Sequence, residues 1–218
     1  MSQTPPYAQP LGDSAISITF GTERSAELLR RVQMAAASLA AAKIRGVQDI
    51  VAAYLRVAVF YDPLEVPYRE MSATLLEHCE LARARGAAHS AAREHLIAVT
   101  YDGPDLTYVA ETTGLTEAEV IARHVGRSYT VDIIGFVPGF AYLSELHPAL
   151  HLPRRAEPRP RVPAGSVAIA GGQTAVYPLD TPGGWHLIGR TTTRMFEPGR
   201  EPPALLQPGD RVRFEARK

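Results

Sequence analysis

Lysine is nearly missing from this chain: Lys43 and Lys218 are the two present in 218 residues, while arginine is abundant. Neither lysine follows a glycine-rich run, so there is no Gly-Lys-Ser/Thr phosphate loop, which excludes nucleotide binding by that route. Nor does a lysine stand where it would serve as a nucleophile. Cysteine is scarcer still. Cys79 is alone, which excludes an intramolecular disulfide and any cysteine-based metal cage. It falls in a helical pattern and is expected to be a small buried hydrophobe. Neither sign of charge is in excess. Lys and Arg total 23, Asp and Glu total 23, and the net charge is +0, so no global field favours nucleic acid or an anionic membrane. No apolar run reaches the roughly 18 residues of a membrane span. The first residues lack a signal-peptide pattern, and the expected location is the cytoplasm. A Gly-x-Ser-x-Gly elbow is also lacking: Ala164-Gly165-Ser166-Val167-Ala168 has no second glycine and follows a proline turn.

What is present reads as an ordinary globular composition, 45% hydrophobic and 21% charged, long enough for one large domain or two small ones. Residues 1–10 are polar and Pro-containing, an expected frayed lead-in. Residues 14–20 alternate, with Ile16, Ile18 and Phe20 on one face of a half-buried strand. Residues 22–43 place Leu28, Leu29, Val32, Ala36 and Leu39 on one stripe of a long helix, and Gly46 is its expected stop. Val47–Ala53 and Arg56–Tyr61 read as strands, and Asp62-Pro63 ends the second. A second helix over residues 67–85 turns Met71, Leu75, Leu76, Cys79 and Ala82 inward. This order of strand, helix, strand, strand, helix predicts an α+β sandwich of ferredoxin type over residues 1–90. The small polar run 86–93 is the expected domain boundary, and a strand over 95–101 is compatible with either side of it.

The second half, residues 91–218, is rich in turns. Leu106–Thr113 is a short helix ended by Gly114, and Thr116-Glu117-Ala118-Glu119 is a capping box that starts another. A strand over 129–136 leads into a Gly/Pro-dense stretch, 135–191. There, short apolar runs alternate with turns at Pro163-Ala164-Gly165, Gly171-Gly172 and Pro182-Gly183-Gly184. Such spacing predicts a barrel or sandwich. Arg154/Arg155 and Arg159/Arg161 stand among prolines, a braced loop suited to an anion or an acidic partner. After the Pro208-Gly209-Asp210 turn, a last strand turns Val212 and Phe214 inward.

Each candidate for chemistry has an ordinary structural counterpart. A Ser166–His186–Asp180 triad can be drawn, but three common residues within about twenty positions make weak evidence for one. His147 and His151 are four apart, yet Pro148 lies between them and no Glu follows His147, so no metal site is expected. His124 near a helix end reads either as a cation on the helix dipole or as a proton carrier. Phe136, Phe140, Tyr142 and Trp185 read as core, or as the floor of a pocket beside Gly139, Gly183 and Gly184. Gln173 and Tyr177 share one side of a strand, and Arg190 with Thr191 sets hydroxyl donors beside charge.

Several long motifs stand in one order: Gly-Phe-Val-Pro-Gly-Phe-Ala-Tyr-Leu from Gly135, two Pro-Arg pairs, Val-Pro-Ala-Gly-Ser-Val-Ala-Ile-Ala-Gly from Val162, Tyr177-Pro178, and Pro-Gly-Gly-Trp-His-Leu-Ile-Gly-Arg-Thr from Pro182. With Gly12-Asp13-Ser14-Ala15 and Pro208-Gly209-Asp210, this resembles the family of 5-oxoprolinase B subunits, also called allophanate hydrolase subunit 1, over nearly the whole chain. The resemblance implies a ferredoxin-like α/β sandwich followed by a cyclophilin-like β-barrel, with the strand at 95–101 in the barrel. It implies a component of an ATP-dependent enzyme that opens 5-oxoproline to glutamate with companion A and C subunits, ATP bringing its usual Mg2+. Phosphorylating the lactam oxygen would activate that poor electrophile. The same family includes Kip-type inhibitors of a sensor histidine kinase, and its older name points to urea or allophanate metabolism. Carried over residue by residue, the resemblance marks His124, Arg154 and Arg159 for catalysis. It marks Phe136, Pro138, Phe140, Tyr142, Ser166, Gln173, Tyr177, Trp185, Arg190 and Thr191 for ligand contact. Two motifs depart from the family pattern. Gly171-Gly172-Gln173-Thr174-Ala175 replaces Gly-Arg-Gln-Thr-Gly, and Arg190-Thr191-Thr192 replaces Arg-Thr-Pro.

Overall fold

A computed structural model describes residues 6–23, 25–85 and 92–217. The chain divides into two units, Met1–Ala91 and Ala92–Lys218. Residues 86–91 of the expected boundary and residues 1–5 of the expected lead-in lie outside the described residues.

In the first unit, β1 (Tyr7–Pro10), β2 (Ala15–Thr19), β3 (Val47–Ala53) and β4 (Arg56–Tyr61) form an antiparallel sheet in the order β1-β2-β4-β3. Helices α1 (Ala26–Ala42) and α2 (Tyr68–Arg85) cover one face. Alternation sends Ile16 and Ile18 of β2, and Val57, Val59 and Tyr61 of β4, to that face, against Leu28, Val32 and Leu39 of α1 and Met71, Leu75 and Cys79 of α2. The architecture is ferredoxin-like with one substitution. The strand that closes that fold at its end is replaced here by β1, hairpinned onto β2. Residues 7–10 are therefore sheet rather than frayed lead-in. Pro10 is tolerated there because β1 is an edge strand.

Local chemistry sets the helix ends. Ser25 caps α1 by accepting the Leu28 N–H at 3.0 Å, and Lys43, at φ 49°, ends it three residues before the expected stop at Gly46. The inward stripe of α1 holds Ala35 as well as Ala36, which is partly buried against the same core. Strand β2 is buried on both faces instead of one. The Cys79 thiol is pushed up to about 12 by burial and, secondarily, by Glu80, which keeps it the inert hydrophobe its pattern predicts.

The second unit is a barrel. Its seven-stranded sheet uses β5 (Glu94–Val99), β6 (Ser128–Ile134), β7 (Ala141–Ser144), β9 (Ser166–Ala170), β10 (Gln173–Val176), β12 (His186–Arg190) and β13 (Arg211–Ala216), after counting β8 (Arg159–Val162) and β11 (Thr181–Gly183) as a separate ribbon. The order is β12-β9-β10-β7-β6-β13-β5, and β5 pairs parallel to β13. The outermost strands meet beyond β5, where Thr100 and Arg190 exchange two backbone hydrogen bonds of 2.8 Å. Gly189 permits this seam: a Cβ there would lie 2.6 Å from the Thr100 carbonyl oxygen. Helix α3 (Leu106–Thr113) ends, and helix α4 (Glu117–Val125) starts, as the sequence predicts. Gly114 ends α3 at φ 69°, and Thr116 with Glu119 completes the capping box of α4. Interior residues such as Val99, Tyr129, Leu143, Ile169, Ile188 and Phe214 fill the barrel. The opposite face of β7, β9, β10 and β12 carries a second apolar layer, in which Phe140, Tyr177 and Trp185 lie over Ala168, Ala170 and Ala175.

The last turn is pinned by one side chain. The Asp210 carboxylate, 4% exposed, accepts from the Gln207 N–H at 2.9 Å, the Arg93 N–H at 3.2 Å and the His95 ring at 3.0 Å. It ties the turn before β13 to the start of β5. Asp210→Ala strands these donors, and urea unfolding of the second unit should show a loss of about 2–3 kcal/mol.

Candidate functional site

Asp105 is the organising group of the site region. It precedes α3 as an N-cap would, but its side chain makes no capping bond. Its backbone N–H donates to the Leu187 carbonyl at 3.0 Å, and its Oδ2 accepts the Leu187 N–H at 2.7 Å. Its Oδ1 accepts Arg155 Nη1 at 3.1 Å and Arg159 Nη2 at 2.7 Å. Burial alone would raise this carboxyl. The Arg159 and Leu187 hydrogen bonds, with the charges of Arg159 and Arg155, outweigh it and hold the group below the ordinary carboxylate value. Two guanidiniums from the Pro-rich loop thus converge, but on an internal carboxylate. The loop is fastened further by the Arg155 N–H on the Gly184 carbonyl at 2.8 Å and by His186 Nε2 donating to the Pro153 carbonyl at 2.9 Å.

Arg159 therefore occupies a structural ion pair with Asp105. Glu145 accepts from Arg211 and Thr130. Arg154 parts company with its neighbour: it is exposed, and its guanidinium carbon stands 5.9 Å from the centre of the Trp185 ring. Arg161 and Asp180 pair on the surface.

Arg154 tops an aromatic chain. Phe136 meets Phe140 edge-on at 5.6 Å, and Phe140 meets Tyr142 at 4.9 Å, Tyr177 at 5.2 Å and Trp185 at 5.7 Å. Four of the aromatic residues marked for ligand contact share this layer and are buried or half-buried, while Phe136 is 63% exposed. Burial raises the Tyr177 phenol, and a Trp185 backbone hydrogen bond opposes the rise. Phe136 lies outside β6, which ends at Ile134, because its φ is 74°. Pro138 is exposed beside it. Gln173 starts β10 opposite Ala170 and, by alternation, shares the side of Ala175 and Tyr177, which is this aromatic layer rather than the barrel interior.

The remaining candidates lie elsewhere. Ser166 is buried at the other end of β9, opposite Arg190. His186 stacks on Tyr108 at 5.3 Å, and Asp180 accepts the Ala164 N–H at 2.8 Å; no triad is assembled. Arg190 makes an exposed pair with Asp102 at 2.7 Å, beside the seam. The Thr191 hydroxyl accepts the Thr193 N–H at 3.1 Å. His147 Nδ1 accepts the Ala149 N–H at 3.1 Å, and His151 Nε2 donates to the Leu146 carbonyl at 3.0 Å, so each imidazole serves its own turn. Among the described residues, no three His, Cys, Asp or Glu side chains gather closely enough to hold a metal ion.

His124 faces the barrel interior and is 0% exposed. Thr174 donates its hydroxyl hydrogen to the Ala168 carbonyl at 3.0 Å, so its oxygen accepts from His124 Nε2 at 2.9 Å. That leaves Nδ1 as acceptor for the Tyr101 hydroxyl at 2.6 Å. The ring stacks on Phe214 at 4.6 Å. Burial lowers its pKa from 6.5 to about 3, so it is neutral and carries no charge for the helix dipole. Its enclosure also separates it from any ligand at the aromatic layer.

The fold and site define a barrel module whose gathered charges are mostly engaged in its own structure. The model of the carboxyltransferase domain, subdomain C and D, matches residues 6–206, and the chain belongs to this family. The chain is 39% identical to the 5-oxoprolinase B subunit of Bacillus subtilis over 94% of its length and 90% of that protein. It is 57% identical to the 5-oxoprolinase B subunit of Escherichia coli O157:H7 over 53% of each chain, so that match spans about half of both. Among solved structures, that of TTHA0988 superposes with a TM-score of 0.82 at 42% identity, over 94% of this chain but 40% of the longer one.

Two outcomes test this geometry. Asp105→Ala leaves two guanidiniums facing each other and frees the Leu187 N–H, and urea unfolding should record a loss of about 3–5 kcal/mol. For His124, the unfolded ring protonates below about 6.5 while the folded ring stays neutral down to about 3. Its stabilising contribution is complete above that window and is lost as pH falls through it, by at most about 1.4 kcal/mol per pH unit. Unfolding midpoints measured between pH 7 and 4 should show this slope in the native chain and a shallower one in His124→Gln.

Proposed function

We propose that this chain is the B subunit of an ATP-dependent 5-oxoprolinase, which converts 5-oxo-L-proline to L-glutamate in a complex with companion subunits. The observation that carries this reading is the 39% identity to a 5-oxoprolinase B subunit over 94% of the chain. The geometry supports a component that does not act alone. Its candidate acid or base, His124, is enclosed and neutral, and Arg155 and Arg159 are held by Asp105. These donors do not favour an ATP phosphate site: the phosphate-binding lysine is missing and two arginines are already paired. In this reading the nucleotide is carried by a companion subunit. The present chain supplies a barrel that presents Phe136 and Arg154.

The test is co-expression with the two companion subunits, followed by measurement of 5-oxoproline-dependent ATP hydrolysis and glutamate release. The assembled complex should turn over, and the purified chain alone should not. Assembly without any response to 5-oxoproline, or robust turnover by the chain alone, overturns the reading.

A further inference from the structure

Phe136 combines two features that are unfavourable in isolation. Its backbone lies in the left-handed region, at φ 74°, where a residue with a β-carbon is strained. Its large apolar ring is nevertheless 63% exposed. The loop holds that arrangement firmly. The Gly135 N–H bonds the Phe140 carbonyl at 3.1 Å, the Phe140 N–H bonds the Val137 carbonyl at 3.1 Å, and Gly139 sits so tightly that a Cβ would lie 2.7 Å from Phe196 Cβ. The ring continues inward through Phe140 to Trp185, and Arg154 covers Trp185. Three other arginines of this segment have carboxylate partners: Arg155 and Arg159 on Asp105, and Arg161 on Asp180. Arg154 has none among the described residues.

We infer that the Phe136 tip and Arg154 form the surface by which this chain docks on a companion subunit, the ring entering an apolar socket and the guanidinium meeting a carboxylate at its rim. The inference rests on the proposed function above and specifies where the chain makes contact within the complex. Trp185 and Phe140 are buried beneath, at 5% and 2% exposure, so they stiffen the surface rather than offer ring faces to a small ligand. Phe136 and Arg154 both project, and aromatic residues and arginine are enriched at protein interfaces. The braced loop lowers the ordering cost of binding, and the lone guanidinium sets the sign of the partner's charge. The curated relatives are named as B subunits, and in TTHA0988 the matched module is 40% of a longer chain. Modules of this type thus occur alongside further protein.

The experiment measures the affinity of the full chain for its purified companion subunits by biolayer interferometry, together with melting temperature. Phe136→Gly is the decisive variant, because glycine takes the left-handed conformation without strain. It should weaken binding ten- to a hundredfold while melting at or above the native temperature. Arg154→Glu should weaken binding at least as much, Arg154→Lys less, and Arg161→Ala should bind as the native chain does. Binding by Phe136→Gly and Arg154→Glu within twofold of native overturns the docking surface and leaves the proposed function standing. Failure of the native chain itself to bind the companions overturns both.

Discussion

One carboxylate holds together three parts of the barrel unit that lie far apart in sequence. Asp105 joins the start of α3, the backbone of β12 and the Pro-rich segment that runs into β8 through four hydrogen bonds, one of them from its own N–H. A carboxylate with Asp105's burial is stable only when its lone pairs are answered by strong donors. Two guanidiniums and a backbone N–H answer them. The surplus positive charge is tolerable because both arginines retain partial exposure, at 33% and 23% of their side chains. With Arg155 and Arg159 turned in to Asp105, Arg154 stands on the exposed side, beside Trp185.

The second constraint is the two-sided use of β7, β9, β10 and β12. Their interior face contributes Leu143, Ile169, Val176 and Ile188 to the barrel core, and their other face contributes small alanines on which the aromatic rings lie. Alanine is the residue that admits rings at van der Waals distance without opening a cavity, and edge-to-face contacts then lock each ring against the next. Thr174, on the interior face, enters a different environment from its neighbours Gln173 and Ala175. There it fixes the tautomer of His124. Adjacent residues of one short strand therefore belong to two unconnected chemistries.

Much of the fold was legible in the sequence, because helices and strands carry periodic apolar patterns and cap residues act locally. The spans Val47–Ala53, Arg56–Tyr61 and Leu106–Thr113 and the capping box at Thr116 follow from neighbours within four positions. Strand β1 was not legible, since its order comes from pairing with β2 and its four residues, Tyr7-Ala8-Gln9-Pro10, carry no apolar alternation. The site was legible only as a neighbourhood. The Pro-braced arginines and the aromatic motifs mark it, but whether Arg154 or Arg155 turns inward depends on a carboxylate some fifty positions earlier. Asp105 itself reads locally as an N-cap, the commonest duty of an aspartate in that place. No local pattern separates a capping aspartate from one diverted to a distant loop.

The parallel pairing of β5 with β13 also bears on how the protein is made. Strand β5 opens the barrel unit and β13 closes it, so more than a hundred residues emerge from the ribosome between the two halves of one ladder. The ferredoxin-like unit has no such delay, because all its strand partners precede Arg85. It is free to finish while β5 waits with an unpaired edge, a span in which a nascent chain is open to wrong partners. Closing this ladder is the late, non-local step in forming the barrel, the kind of pairing that folds slowly.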